Sequence, residues 1–325
     1  MTAVTLPEWV GDSVRILTDA NTTHTEWVQK RYGGLGASDA SAVLGVNPWA
    51  GPFDVWAAKT GRAAPVEETR VMRLGHVLEP AIREFYEEET GLTVFHQPNL
   101  ILQHPQDDWL RYSPDGLVVE APRLFEAKSA RRDNEWVDSV SAHAEAQVVT
   151  GQTVVGPTAL TADVSVLFAG DVDRFHIFPI EYQQSASDFV REALARFWHD
   201  HVLADVPPPP DYRSLAAVLD FVGKSSPETQ TVVTGDEEVR TRTIVESYRE
   251  HREMKTVGER GMETAKAELL LIAGDGEAVV DEAGERLFTL KSQTTRRVTN
   301  AAIVAAGHDP DDFKTASDSR VLRVK

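Results

Sequence analysis

The sequence predicts an α/β (α+β) fold in which a mixed sheet is covered by helices, and three observations carry that expectation. An amphipathic helix pattern precedes a series of short strand patterns; a Pro-Asp-Gly turn opens a strand hairpin that leads into a second helix; and a further strand pair follows that helix. With 325 residues and 42% apolar content, the chain holds one large or two ordinary domains with a substantial core. No apolar run approaches bilayer length, and Glu8 and Asp12 interrupt any basic-then-apolar leader, so a cytoplasmic protein without a membrane span is expected. The absence of cysteine excludes disulfides, thiolate zinc sites, iron–sulfur clusters and a cysteine nucleophile.

In chain order, Thr25–Arg31 reads as a short helix entering a flexible glycine-rich loop, Gly33-Gly34-Leu35-Gly36-Ala37-Ser38-Asp39. Ala40–Gly45 reads as a helix capped by Ser38, whose start offers backbone N–H groups to an anion; a plain cap and a phosphate contact are equally compatible with the local sequence. No Gly-Lys-Ser/Thr follows the glycines, so this is no Walker A loop. Asn47-Pro48-Trp49 marks a turn, and Pro52–Gly61 a helix closed by its final glycine. After a polar loop, Met72–Thr90 forms a helix ended by Gly91, with Leu74, Leu78, Ala81, Ile82 and Phe85 as its buried stripe and a bend expected at Pro80, beside Glu79. Strands are expected at 92–95, 100–102, 109–112, 117–120 and 124–128, then a helix over Ala142–Val155 and a hairpin of 162–169 with 175–180. Asp188–Val202 reads as an amphipathic helix burying Phe189, Ala193, Leu194, Phe197 and Trp198, followed by the stiff Pro207–Pro210 segment. Beyond it lie a charged helix over 237–272, a hairpin of 278–280 with 286–291 turning at Glu282-Ala283-Gly284, and a tail ending in Val321–Lys325.

The chemistry concentrates at Ser113-Pro114-Asp115-Gly116 and Glu126-Ala127-Lys128. Side chains alternate along a strand, so Glu126 and Lys128 share one face, beside Asp115. Asp115 and Glu126, with the Ala127 carbonyl between the strand's two functional side chains, offer hard oxygen ligands for part of an octahedral Mg²⁺ shell. Lys128 would orient a metal-bound water or neutralise a phosphate oxygen; Glu79 would reach a second cation or a bound water, and Gln147 would position the nucleophile. The bland alternative makes Asp115 a turn former and Glu126–Lys128 a same-face ion pair on an exposed strand. A net charge of −18 argues against non-specific coating of DNA, yet Arg123, Lys128, Arg131 and Arg132 supply local positive charge around the motif.

Taken together, Gly33–Asp39 with Leu44-Gly45 and Asn47-Pro48-Trp49, Leu74-Gly75-His76-Val77-Leu78-Glu79-Pro80, Ser113–Gly116, Glu126–Lys128, and Ala146-Gln147 with Gly156 resemble the YqaJ-like viral recombinases. These are relatives of lambda exonuclease within the PD-(D/E)XK nuclease superfamily, and the motifs keep the family's order over roughly residues 27 to 205. The resemblance implies a restriction-endonuclease-like core, with a central mixed sheet flanked by helices, and 5′-to-3′ digestion of one strand of linear double-stranded DNA with Mg²⁺, or with Mn²⁺ in its place. By position it makes Asp115 and Glu126 metal ligands with the Ala127 carbonyl, Lys128 the catalytic lysine, Glu79 a further acidic site residue and possible ligand, and Gln147 the helical glutamine. Arg31 and Ser38 fall where the family holds the 5′-phosphate. It also implies a ring-shaped homo-oligomer, a single-strand annealing partner and a phage or prophage origin in a bacterial cytoplasm. The domain layout expected is a nuclease domain over 1–206, a Pro-rich connection over 207–211 and a helix-and-hairpin extension over 212–325. A sequence- or structure-specific endonuclease, or an inactive DNA- or partner-binding member of the fold, are the competing readings.

Overall fold

The computed structural model describes residues 5–11, 13–63, 69–130, 136, 139–168, 171–223, 230–289 and 299–313. The chain divides into two compact units, Met1–Gly223 and Lys224–Lys325. In the first unit β1 (Arg15–Thr18), α1 (His24–Tyr32), β2 (Leu35–Gly36), α2 (Ala37–Val43), α3 (Pro52–Lys59) and α4 (Arg70–Thr90) come first. Then follow β3 (Val94–Phe95), β4 (Ile101–Gln103), β5 (Leu110–Tyr112), β6 (Gly116–Val118), β7 (Arg123–Ala130), α5 (Ala142–Val155), β8 (Thr161–Phe168), β9 (Phe175–Glu181), α6 (Gln184–Phe197) and α7 (Leu215–Val222).

The expected mixed sheet is present. Five strands order as β3-β6-β7-β8-β9, with β7 and β8 parallel across the α5 crossover and the other pairs antiparallel. A second sheet, β1-β4-β5-β2, stands beside it. Helices cover both faces of the five-stranded sheet. Ile82 and Tyr86 of α4 pack with Phe125, Ala127 and Leu167 on one side. On the other, Ala144, Val148 and Val155 of α5 share a core with Leu124, Val164 and Val166. Strand alternation therefore turns Glu126 and Lys128 toward the α5 side and Phe125 and Ala127 toward α4. Since β7 is central and Glu126 is 6% exposed, the exposed-strand ion pair is not what the chain builds.

Several local expectations need correction. The glycine-rich segment is not a flexible loop, because Leu35 and Gly36 pair in parallel with Leu110 and Arg111. Glycine is required there by close approach: a Cβ on Gly34 would lie 2.4 Å from the Trp109 carbonyl oxygen. Ser38 does not cap α2. The N-cap is Gly36, whose N–H donates to the Asp39 carboxylate at 2.8 Å, and Ser38 lies one residue inside the helix. In α4, a continuous helix through Pro80, burial is confined to Ile82 and Tyr86, and Leu74 is exposed. Helix α6 begins at Gln184 and buries Ser187, Val190, Leu194 and Phe197, leaving Phe189 exposed; the spacing of Phe189 and Ala193 placed the stripe one position off.

The prolines do not end the first unit. Past them, Ser214 donates to Asp54 at 2.7 Å, Arg213 donates to the carbonyls of Gly45 and Asn47, and Phe221 packs on Phe53 and Trp56 with ring centroids 6.0 and 5.3 Å apart. Cutting the chain after Val206 therefore uncovers Phe53 and Trp56, both nearly fully buried. A chain ending at Val206 is expected to lose about 2–4 kcal/mol relative to one ending at Gly223, read by urea denaturation; equal stabilities would place the boundary at the prolines.

The second unit carries α8 (Asp236–Ala273), with no buried residue, β10 (Ala278–Val280) paired antiparallel with β11 (Arg286–Thr289), and α9 (Asn300–Ala305). Gly284, at φ 82°, takes the left-handed turn position between the two strands. Leu290, Lys291 and Val321–Lys325 lie outside the described residues. Among the described residues, no helix is long and apolar enough to cross a membrane.

Candidate active site

The hairpin of β6 and β7 stops pairing at Gly116 with Phe125, so β7 continues alone on that edge from Glu126 onward. Asp115, at the turn end of β6, fills the vacated position: its Oδ2 accepts the Ala127 backbone N–H at 2.9 Å. A residue in an extended strand directs its N–H and C=O to the same edge, so the Ala127 carbonyl faces the Asp115 side too. One residue along on the other face, Lys128 Nζ donates to Glu126 Oε1 at 2.6 Å. These groups form one end of a cleft of about 380 Å³, which Glu79, Gln147, Arg31 and Ser38 also line.

The electrostatics of this floor are those of two carboxylates short of positive charge. Burial first, and the neighbouring Glu126 charge second, push the Asp115 carboxyl well above the usual range, while Lys128 and the Ala127 N–H oppose the shift. For Lys128, burial works against the charged form, but Glu126 and Asp115 outweigh it and hold its pKa above the ordinary lysine value. Lys128 is therefore an ammonium donor near neutral pH, not a base. On α5, the Gln147 Oε1 is buried with no hydrogen-bond partner, an acceptor that the folded chain leaves unused.

In the same cleft, Arg31 Nη2 donates to Ser38 Oγ at 3.1 Å, and the Arg31 guanidinium lies 5.2 Å from the Trp27 ring centre. The structure thus brings together all seven side chains singled out from the sequence. Arg123 does not join them: it bonds Asp163 at 3.0 Å at the opposite end of β7, about 17 Å of strand from Lys128. Arg131 and Arg132 lie outside the described residues.

A profile of the YqaJ-like viral recombinase domain matches residues 26–150, the interval that holds every one of these side chains. The chain is 30% identical over 228 residues to the uncharacterized protein YqaJ of Bacillus subtilis strain 168, covering 69% of this chain and 70% of that protein. This chain is a member of the YqaJ family. Among solved structures, it is similar to LHK-Exo, an alkaline exonuclease from Laribacter hongkongensis, at 20% identity and a TM-score of 0.45, over 56% of this chain and 94% of that one. A phage-related exonuclease from Haemophilus somnus 129PT aligns at 10% identity and a TM-score of 0.40, over 53% of this chain and 96% of that one.

Three cleft residues of this YqaJ-family chain escape a motif reading. Tyr112 buries an unpartnered hydroxyl, kept protonated by burial and by the charges of Glu126 and Asp115. His96 Nδ1 lies 3.0 Å from the Asp115 carbonyl oxygen. Arg111 stands between Leu110 and Tyr112 with Nε and Nη1 buried and unpartnered. An arginine inside an apolar strand was the available signal; nothing in its spacing linked it to the motif.

Asp115 also has a stability consequence. Its folded pKa is raised above that of the unfolded chain, so the folded form binds the extra proton and stability falls as pH rises from the unfolded value through the folded one. Above that window the full cost of the buried charge is present. Asp115→Asn is accordingly expected to melt about 2–4 °C higher than the parent at pH 7 without divalent cations, and to flatten the pH dependence. A lower melting temperature would show that the Ala127 contact outweighs the charge cost.

Proposed function

We propose that this chain is a Mg²⁺-dependent nuclease that degrades one strand of linear double-stranded DNA in the 5′-to-3′ direction. Its setting would be phage-type recombination, as a ring-shaped homo-oligomer serving a single-strand annealing protein. The observation that carries the proposal is the floor of the cleft, where Asp115 and Glu126 meet around a strand edge with Lys128 bonded to one of them. Membership of a recombinase family and the Arg31–Ser38 pair in the same cleft support this reading.

The donor set fits a hard divalent cation. Burial and the neighbouring Glu126 charge raise the cost of ionising Asp115, the Ala127 carbonyl faces the same edge, and hard oxygen donors suit Mg²⁺ or Mn²⁺ over softer metals. Among the described residues no three Asp, Glu, His or Cys side chains converge as a cage, so the remaining positions fall to water and substrate, as Mg²⁺ prefers. A cation bound there supplies an acidified water and neutralises charge building on the phosphoryl group. The ammonium of Lys128 adds a fixed positive charge beside the same oxygens, Gln147 offers its free Oε1 to a water proton, and Glu79 lines the cleft from α4. Arg31 and Ser38 hold the entering phosphate and set which bond reaches the floor.

The test is incubation of the purified protein with Mg²⁺ and with linear or covalently closed duplex DNA, each strand end-labelled in turn. Loss of the 5′-labelled strand from linear DNA alone is the expected result. Nicking of circles would establish the endonuclease reading, and binding without cleavage the inactive scaffold.

A further inference from the structure

We infer that Arg111 is a specificity residue of the cleft, a half-buried guanidinium that takes the phosphate monoester at a DNA 5′ end and so separates ends from interior phosphodiesters. The inference rests on the exonuclease reading and deepens it. Nε and Nη1 of Arg111 are buried without a hydrogen-bond partner, and no carboxylate among the described residues forms an ion pair with it. Asp108 acts on it only through the field, against a burial cost that lowers its pKa. A guanidinium has five donors and no way to neutralise itself, so the half-buried Arg111, with two of its nitrogens shut away from water and unpaired, keeps a cost that a bound anion removes.

The surroundings match that use. The guanidinium lies against Gly33 and Gly34, where added Cβ atoms would come within 3.2 Å of Nη1 and 2.6 Å of Nε. The two glycines therefore make room for Arg111, in the segment that joins Arg31 on α1 to Ser38 on α2. All three side chains line one cleft with Trp27, whose buried Nε1 is a second unpartnered donor. A terminal phosphate monoester carries about −1.5 to −2 charges at neutral pH, whereas an interior phosphodiester carries one. Two guanidiniums and two neutral donors suit the former, and planar forks favour its several equivalent oxygens.

The test uses the full chain carrying Glu126→Gln, so that DNA is bound and not consumed, without divalent cation. Its affinity is read by fluorescence anisotropy for one duplex bearing either a 5′-phosphate or a 5′-hydroxyl. About tenfold tighter binding of the phosphorylated end is expected. Adding Arg111→Met should bring the ratio to within about twofold, with Arg111→Lys between, because lysine keeps the charge and loses the fork. Thermal melts should place the Met variant at or above its parent, since it removes an uncompensated buried charge. An unchanged ratio in the Met variant, no end preference in the parent, or a lower melt with equal loss for both duplexes would each overturn the inference, the last by making Arg111 structural. The two readings fail separately. An intact phosphate ratio in a wild-type chain that digests no linear DNA sinks the exonuclease alone; digestion indifferent to the 5′-phosphate sinks the role of Arg111 alone.

Discussion

Glu126→Gln and Lys128→Met are each expected to lower hydrolysis of linear duplex DNA by a factor on the order of 10³ or more, with the fold retained. Both replacements keep the volume of side chains that the sheet encloses, which matters because Glu126 is 6% exposed and an alanine there would leave a void on the central strand. Their effects on stability should differ in sign. Gln at 126 removes one of two facing carboxylates and leaves the ammonium with Asp115, so melting should hold or rise. Met at 128 removes the charge that offsets both carboxylates, and should cost about 3 kcal/mol in metal-free buffer. Gel assays of strand loss and thermal melts of the same preparations decide the matter. Activity within tenfold of wild type in either variant would remove these residues from the chemistry.

Arg123→Met is expected to destabilise the first unit by about 3 kcal/mol at pH 7, read by urea denaturation. Asp163, 2% exposed on β8, accepts hydrogen bonds from Arg123 Nη1 at 3.0 and 3.2 Å and from the Tyr86 hydroxyl at 2.6 Å. Losing the guanidinium strands a buried carboxylate with one neutral donor. Arg123 is partly open to water, so the reverse deletion leaves a cation that can still hydrate. Asp163→Asn added to Arg123→Met should therefore recover most of the loss, because it removes the charge that has nowhere to go. Additive losses in the double variant would mean that the two side chains do not act as a pair.

That pair also shows where sequence reasoning stops. Arg123 stands close to the motif in the chain, and proximity in sequence enrolled it as a local cation; in space it serves Asp163, forty residues on, across the parallel β7–β8 pairing. Lys128, only two residues from Glu126, was placed correctly by strand alternation. Helices α3 and α5 were readable to within about two residues, because Pro52 at the first position of one and Gly156 after the last of the other are local signals. The strand Leu35–Gly36 was not readable: two residues pair with Leu110 and Arg111 some 75 positions away, and glycine there reports a close approach that only the partner reveals. The same holds for the chain after Pro210, whose anchors, Asp54 and Trp56, lie far upstream.

By itself, the sequence determined the α/β class, the order of most elements, the shared face of Glu126 and Lys128, and the family, because these depend on backbone periodicity and on short contiguous motifs. Only the tertiary structure decided that Asp115 completes the open edge of β7, that Arg31 and Ser38 line the same cleft, and that two nitrogens of Arg111 are buried there without a partner. Those facts are set by which distant segments exclude water together. The cost of burying a charge, which raises the pKa of Asp115 and lowers that of Arg111, exists only once they have done so.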